Sequence, residues 1–220
     1  MAKGAYPNME DLHEFLQIAG IHVDPKHDLS RFIEEAIALW EKSTGWKPFL
    51  AIDEYQTRVF KAPVGGRSGD FCYVPLVELS GGVVDVRSVH LKSPSSGARH
   101  ILIEGTDFLF MPEDAPRMGR SYEWIEFIRP SIRQGDLVEV DGLWGYCSEL
   151  PEDVRSCILK LAASEVVSLC ECSLGGGLKS WSEEGVREEY DRESYEAVVH
   201  RWKSESRRLV ACYRRFKLGV

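Results

Sequence analysis

The stretch that decides the fold runs from Asp136 to Cys170 and reads DLVEVDGLWGYCSELPEDVRSCILKLAASEVVSLC. Its first part is a short β-prone run of alternating aliphatic residues that ends at Gly142 and Gly145. Its second part predicts a helix that begins at about Pro151. Proline lacks the N–H that would have no partner at the first helical position, and the two acids that follow favour the positive end of a helix dipole. A strand that leads into a long helix therefore organises the chain.

This helix is apolar around most of its circumference. Polar side chains recur every four residues as one narrow stripe, made of Ser156, Lys160, Ser164 and Ser168. Glu165 is the one charge of this helix that needs a partner or access to water. A helix that is so widely apolar must be surrounded by other elements. We predict that it is the central helix of a bundle, in which Val166→Asp damages folding and Ser164→Asp does not.

Two amphipathic helices precede it. Asn8 is a suitable cap for the first, which ends at Gly20. Asp28 is a suitable cap for the second, which ends at Gly45. The second carries one apolar stripe at helical spacing, consisting of Leu29, Phe32, Ile33, Ala36, Ile37 and Trp40. We expect this stripe to pack against the central helix.

Between these helical segments the apolar period changes from helical to alternating, and Gly, Pro and Ser appear at short intervals. Seven short strands are predicted, at 55–60, 71–74, 83–92, 99–104, 107–110, 123–128 and 136–143. No helix is predicted among them, so they indicate an antiparallel barrel or sandwich. The predicted fold is α+β, with helical parts at 1–54 and 144–220 and an inserted β domain at 55–143.

Beyond the central helix, the glycines at 175–177 end the helical pattern. A small hairpin is predicted from 178–182 and 186–190, and a last helix starts near Asp191. The helical segments before and after the β insertion are each too small to bury their apolar stripes alone. They are therefore expected to pack on each other.

The composition argues against several classes of protein. No apolar run approaches the roughly 20 residues that a membrane span needs, and the start of the chain has no signal-peptide pattern, so we expect a cytoplasmic protein. The six cysteines are interpreted as reduced thiols, since Cys170 and Cys172 have the wrong spacing for a zinc pair. Lys179 follows Leu178, where a phosphate loop requires glycine. We predict no catalytic residue, no metal ligand and no cofactor.

Charge is distributed unevenly along the chain. The formal net charge is -8, which argues against a protein that binds DNA through a basic face. Residues 201–220 hold seven basic residues and one acid, giving +6, which leaves -14 for residues 1–200. The C-terminal segment is therefore expected to have a different electrostatic partner from the rest of the chain.

Large aromatic and arginine side chains mark candidate interfaces. Trp144, beside two glycines, is interpreted as core, whereas Trp181, in charged sequence, is a candidate subunit contact. The C-terminal segment combines aromatic and basic residues, as interfaces favour. The candidate interface to a portal or a neighbouring subunit consists of Trp181, Tyr213, Arg214, Arg215, Phe216 and Lys217. The other interpretation of this segment is a solvated terminus.

The order of motifs resembles a known family. A strand that ends in Gly-x-Trp-Gly-Tyr is followed by Pro-x-x-Val-Arg and a Leu-Ala-Ala helix. The residues are Gly142, Trp144, Gly145, Tyr146, Pro151, Val154, Arg155, Leu161, Ala162 and Ala163. This resembles the head-to-tail connector (adaptor, head-completion or neck) proteins of tailed bacteriophages and phage-like gene-transfer particles. Thr106 to Leu109 with Pro112, and Tyr213-Arg214-Arg215, extend the resemblance in order over residues 45–215.

The resemblance implies a structural virion protein rather than an enzyme. Copies would form a homo-oligomeric ring, of about twelve subunits, beneath the portal protein. The ring would extend the channel through which double-stranded DNA passes without specific binding. It would also offer a platform to a tail or stopper protein. The expected location is the neck of the virion, with host cytoplasm as the site of assembly and no membrane association.

Two other classes remain open from the sequence. The β insertion could be a barrel that binds a small molecule or sugar, with the helices as support. A cavity lined by the inward residues of the strands would favour that reading, and a filled interior would favour the connector. A nuclease or other DNA-processing enzyme would need a cluster of carboxylates that only tertiary structure can assemble.

Overall fold

The computed structural model describes residues 5–21, 23, 26–62, 72–76, 81–94, 97–128, 135–173, 180–183, 186–189 and 192–214. The chain divides into two compact units. The β unit comprises Trp46–Leu150, and the helical unit comprises Ala5–Gly45 together with Pro151–Val220. Each unit has its own buried residues and its own internal contacts.

The helices are α1 (Met9–Ile18), α2 (Ser30–Thr44), α3 (Glu152–Ser173) and α4 (Arg192–Tyr213). The strands are β1 (Gln56–Lys61), β2 (Cys72–Pro75), β3 (Val83–Lys92), β4 (Arg99–Ile101), β5 (Phe108–Met111), β6 (Trp124–Phe127), β7 (Leu137–Trp144), β8 (Ser180–Glu183) and β9 (Val186–Glu189). The predicted α+β fold class is confirmed. All seven strands predicted between the helical segments are found, with ends that differ by up to three residues.

The strands of the β unit form two antiparallel sheets. One has four strands in the order β1-β7-β3-β4, and the other has three in the order β2-β6-β5. The first sheet pairs strands that are far apart in sequence, since Phe60 faces Val138 and Val89 faces Val140. Two register shifts interrupt the pairing of β3 with β7 near Val86. Such irregularities bend a strand and increase its twist.

Alternation along the strands builds the core of the β unit. In β7, every second side chain from Val138 to Trp144 is buried. One continuous cluster contains buried residues of both larger sheets: Phe60, Val74, Leu76, Val83, Val89, Leu91, Phe108, Phe110, Ile125, Phe127, Val138, Val140 and Trp144. The two sheets therefore share one apolar interior, and that interior is filled with aliphatic and aromatic side chains.

The helical unit begins with a capped helix. The Asn8 side chain accepts the N–H of Asp11, and the Asp11 carboxylate accepts the N–H of Asn8, at 3.0 and 2.7 Å. This reciprocal pair satisfies two N–H groups at the helix start, so the predicted cap is confirmed. Leu12 and Leu16 are fully buried, and Gly20 follows the helix with a φ of 77°.

The predicted start of α2 is one residue early. The cap position is Leu29, and no side chain caps it. Asp28 still takes part, because its carboxylate accepts the N–H of Ser30 at 2.9 Å, and this bond lowers the pKa of Asp28. The predicted apolar stripe is largely buried through Ile33, Ala36 and Trp40. As predicted, α2 packs against α3.

The central helix α3 buries both residues on which the predicted pair of substitutions rests. Val166 is buried, as the apolar surface requires. Ser164 is also buried, with 1% exposure, and its hydroxyl donates to the carbonyl of Lys160 at 2.7 Å. The burial of Ser164 removes the reason for expecting this position to tolerate a carboxylate. The polar stripe is partly covered by other parts of the unit, and serine is accepted there because its hydroxyl bonds to its own helix.

The last elements are the predicted hairpin and helix. Strands β8 and β9 pair from Ser180 with Glu189 to Glu183 with Val186. Helix α4 packs against α3 and α2 and buries Trp202 and Ser206. Among the described residues, no helix is long and apolar enough to cross a membrane.

Candidate functional site

The family-like motif forms the joint where β7 ends. Gly142 lies so close to β3 that an added Cβ would be 2.5 Å from a methyl carbon of Val83. Trp144 is 1% exposed, and its indole N–H donates to the carbonyl of Gln56 at 2.7 Å. The guanidinium of Arg58 covers the same indole ring at 4.3 Å. The prediction that Trp144 belongs to the core is confirmed.

The second half of the joint fastens residues 46–51 to residues 145–147. A Cβ on Gly145 would be 2.5 Å from the backbone of Ala51, so only glycine fits there without movement. The Tyr146 ring lies against Trp46 and Phe49, with centroids 4.9 and 4.8 Å apart. Backbone N–H groups of Ala51 and Tyr146 complete the link by donating to Cys147 and Phe49. This joint is therefore closely packed by aromatic contacts and backbone hydrogen bonds.

The remaining motif residues belong to the start and middle of α3. Pro151 immediately precedes the helix, and its carbonyl accepts the N–H of Arg155 at 3.0 Å. Val154, Ala162 and Ala163 are fully buried, and Leu161 is half-buried. Small residues at this point of α3 permit close approach of neighbouring helices.

A buried ion pair, which the sequence reasoning missed, connects α3 to α1. The Arg155 guanidinium lies 2.6 Å from the Asp11 carboxylate, with side-chain exposures of 11% and 9%. A second nitrogen of Arg155 donates to the carbonyl of Ala5 at 3.1 Å. Arg155 was noticed only as part of the motif. Asp11, at the third position of a capped helix, gave no sign of a partner so distant in sequence.

Tyr213 is a candidate interface residue that makes contacts within the helical unit. Its ring meets Trp40 edge to face, with centroids 5.6 Å apart. Its hydroxyl donates to the carboxylate of Asp153, with both oxygens at 3.1 Å. Tyr213 therefore fastens the end of α4 to α2 and α3.

The other candidate interface residues lie at or beyond the limits of what is described. Arg214 is exposed. Arg215, Phe216 and Lys217 lie outside the described residues, and the side chain of Trp181, in β8, does as well. Their role at an interface stays a prediction.

The solvent side of α4 is strongly basic. Arg201, Arg207, Arg208 and Arg214 are all exposed, and we call these four residues the arginine face. Glu205 is the only acid in this part of the helix, and Lys160 of α3 binds it at 2.7 Å. The hydrogen bond from Lys160 lowers the pKa of Glu205, and the positive charges of Arg201 and Arg208 add to this effect. The acid is thus largely neutralised by α3.

The solvent side of the four-stranded sheet carries a polar ladder. Tyr55 donates to the carboxylate of Asp85, and this hydrogen bond raises the pKa of the Tyr55 hydroxyl. The Arg87 guanidinium covers the Tyr55 ring at 4.0 Å and lies 3.6 Å from Asp141. Further along, Arg99 approaches Glu139 at 2.9 Å. These groups pair with each other across β3, β4 and β7, which stabilises the sheet.

The cysteines whose side chains are described behave as small core residues or surface residues. Cys147 and Cys157 are buried free thiols, and Cys212 is exposed. Burial raises the pKa of the Cys147 thiol to about 12, and burial also raises that of Cys157. Within the described part of the chain, no three His, Cys, Asp or Glu side chains are grouped as a metal ion would require.

Comparison with known proteins shows a distant structural likeness. No protein-family model matches the chain, and no curated protein matches it. Among solved structures, the chain is similar to one in the virion of a native gene transfer agent particle. The identity is 18%, the TM-score is 0.43, and the alignment covers 92% of this chain and 95% of the other. At this TM-score the likeness supports no conclusion about fold or function.

Proposed function

We propose that the protein is a head-to-tail connector of a tailed-phage-like particle. Copies form a ring beneath the portal, extend the DNA channel and present a platform for the tail. Support comes first from the resemblance in the sequence. Its residues from Gly142 to Tyr146 form the joint at the end of β7, in which Trp144 is buried and Gly145 leaves no space for a side chain. Such close packing suits a subunit that must hold its shape within a ring.

The observation that favours this function over a ligand-binding barrel is the shared apolar cluster of the β unit. The shared cluster places Phe60, Phe108 and Phe127 among aliphatic side chains inside the two sheets. Phe108 meets Phe110 edge to face, with centroids 5.0 Å apart. A ligand site of ordinary size needs a concave pocket of roughly 300 Å³ or more, lined by the residues that here pack on one another. The connector therefore remains the better proposal.

A genetic experiment tests it. An in-frame deletion of the gene, in cells that produce the particles, should yield heads filled with DNA and free tails, without joined particles. Electron microscopy of purified particles shows the difference, and the intact gene supplied in trans should restore joining. Complete tailed particles without this protein would overturn the proposal.

Truncation of the C-terminal segment tests whether that segment contacts a partner. The truncation should remove residues 215–220 and keep Tyr213, because Tyr213 contacts Trp40 and Asp153 within the subunit. Its melting temperature should equal that of the intact chain. If the segment docks on the portal or on another copy, the truncated chain should co-sediment less with portal rings than the intact chain does. Added salt should reduce co-sedimentation of the intact chain in the same way. Unchanged co-sedimentation would favour a solvated terminus.

A further inference from the structure

The arginine face is a positively charged surface on the solvent side of α4. Arg207 and Arg214 are seven residues apart and therefore lie on one side of α4, with exposed Ala211 between them. Neither forms an ion pair with a described residue. The opposite side of α4, which includes Trp202 and Ser206, is buried. The arginine face is thus held in place by a packed helix and points to solvent.

A complementary surface exists on the same chain. Helix α1 contains Glu10, Asp11 and Glu14 but no lysine or arginine. Asp11 is occupied by Arg155, whereas Glu10 and Glu14 are exposed, one helical turn apart, and form no ion pair within the described residues. We call Glu10 and Glu14 the glutamate face. Ile18 lies one helical turn after Glu14, is 79% exposed and offers apolar area beside the glutamate face.

We propose that the arginine face of one copy docks on the glutamate face of the next copy. The occupant is a second copy because this chain carries both halves of the contact, and residues 1–200 have a charge of -14 against +6 for the rest. The two faces are different surfaces, so each copy has one of each to offer to its neighbours. Such head-to-tail contacts close into a ring when the rotation allows it. The inference rests on the proposed function, for which it names the surfaces that meet.

Nucleic acid is the other class of partner that four arginines could bind. It fits less well, because a protein that binds phosphates needs a continuous basic surface and the remainder of this chain is acidic. An acidic protein surface of similar extent, in contrast, is supplied by every copy. Opposite potentials on two surfaces also speed their encounter and fix their register.

The test is a charge swap in the full chain. Reversing the arginine face with Arg207→Glu and Arg214→Glu should weaken self-association at least tenfold, because like charges then oppose each other. Reversing the glutamate face with Glu10→Arg and Glu14→Arg should do the same. A chain that carries all four changes should associate again, since opposite charges face each other once more. The matched control is Lys61→Glu with Arg117→Glu, which reverses two exposed basic residues of the β unit.

Sedimentation velocity of the purified chains measures the outcome at about 0.1 M and about 1 M salt, where the Debye length falls from roughly 10 to 3 Å. The inference requires association at the lower salt, loss in each double variant, and recovery in the fourfold variant. Association that survives both double variants, a fourfold variant that stays monomeric, or an intact chain that never associates would overturn it. So would arginine-face variants that lose only the binding of a short DNA duplex. The gene deletion tests the connector function separately, so tailless particles together with monomers in solution would reject this inference alone.

Discussion

Each of the two units of the molecule is stabilised internally in a different way. In the β unit the shared interior cluster is apolar, and the Arg99 side chain that pairs with Glu139 is 54% exposed. In the helical unit a charged pair, Arg155 with Asp11, lies inside the packing. The difference teaches that alternation alone specifies much of the β unit, whereas the helical unit also depends on polar partners that must meet across a long insertion.

The largest effect is expected at the joint of the β unit. Trp144→Ala should lower the free energy of unfolding by about 3–5 kcal/mol, because it removes a buried indole and leaves a cavity. It also removes the hydrogen bond to Gln56 and the contact with Arg58. Urea unfolding followed by circular dichroism measures the change.

Tyr73→Ala is the matched control for this variant. Tyr73 lies in β2 and is 53% exposed, so the loss of its ring should change stability by no more than about 0.5 kcal/mol. Similar losses of unfolding free energy in the two variants would mean that the β unit does not depend on its joint. The two units would then not differ in the way described above.

The next effect tests the polar stripe of α3. Ser164→Asp and Val166→Asp should both lower the free energy of unfolding by about 2–4 kcal/mol, since each buries a carboxylate without a partner. Glu165→Gln is the control between them on the chain, because Glu165 is 58% exposed and its ion pair with Lys203 at 3.7 Å is weak. A Ser164→Asp chain as stable as the control would restore the simpler view of an exposed stripe. Thermal melts of the three variants provide the comparison.

Ser164 also shows how much of the fold could be predicted from the sequence. Alternation and turn residues were enough to find all seven strands of the β unit, and helical spacing was enough to place Trp40 and Val166 in cores. The register shifts in β3 were beyond reach, because they depend on tertiary packing. A helical pattern shows which side chains share a face, but it does not show which neighbouring helix covers that face. For this reason the burial of Ser164 was missed.

The candidate site was predictable to a smaller degree. Trp144 and the glycines beside it signalled a packed joint, because such residues tolerate close approach. The pairing of Arg155 with Asp11 was not predictable, since nothing local in the sequence links two charges separated by the whole β unit. Tyr213 was named a candidate interface residue because it begins an aromatic and basic run, but the sequence could not show its contacts with Trp40 and Asp153.

A moderate effect is expected when the buried ion pair is broken. Asp11→Asn should lower the free energy of unfolding by about 1–3 kcal/mol, because the Arg155 charge then remains inside the helical unit without its counter-charge. Glu10→Gln, the neighbouring and exposed position, should stay within about 0.5 kcal/mol of the original. Chemical denaturation at neutral pH distinguishes the two. Equal stability of the variants would show that water or the Ala5 carbonyl satisfies Arg155 alone.

The smallest effect at neutral pH concerns the buried thiol of the β unit. Because burial raises the pKa of Cys147 to about 12, its thiol should stay protonated and unreactive in the folded chain at pH 8.5, while exposed Cys212 in the helical unit reacts with iodoacetamide.

The folded state holds the proton of the Cys147 thiol more tightly than the unfolded state. The resulting stabilisation is complete below the ordinary thiol pKa of about 8.5 and is lost as pH rises towards 12. A Cys147→Ala chain should therefore lose less stability than the original between about pH 9 and 12, whereas Cys212→Ala should follow the original.

Peptide mapping by mass spectrometry, before and after unfolding in urea, measures the labelling of the two thiols by iodoacetamide. Alkylation of Cys147 at the rate of Cys212 would show that the joint of the β unit opens readily, and the contrast between a rigid β unit and a polar-linked helical unit would then fail.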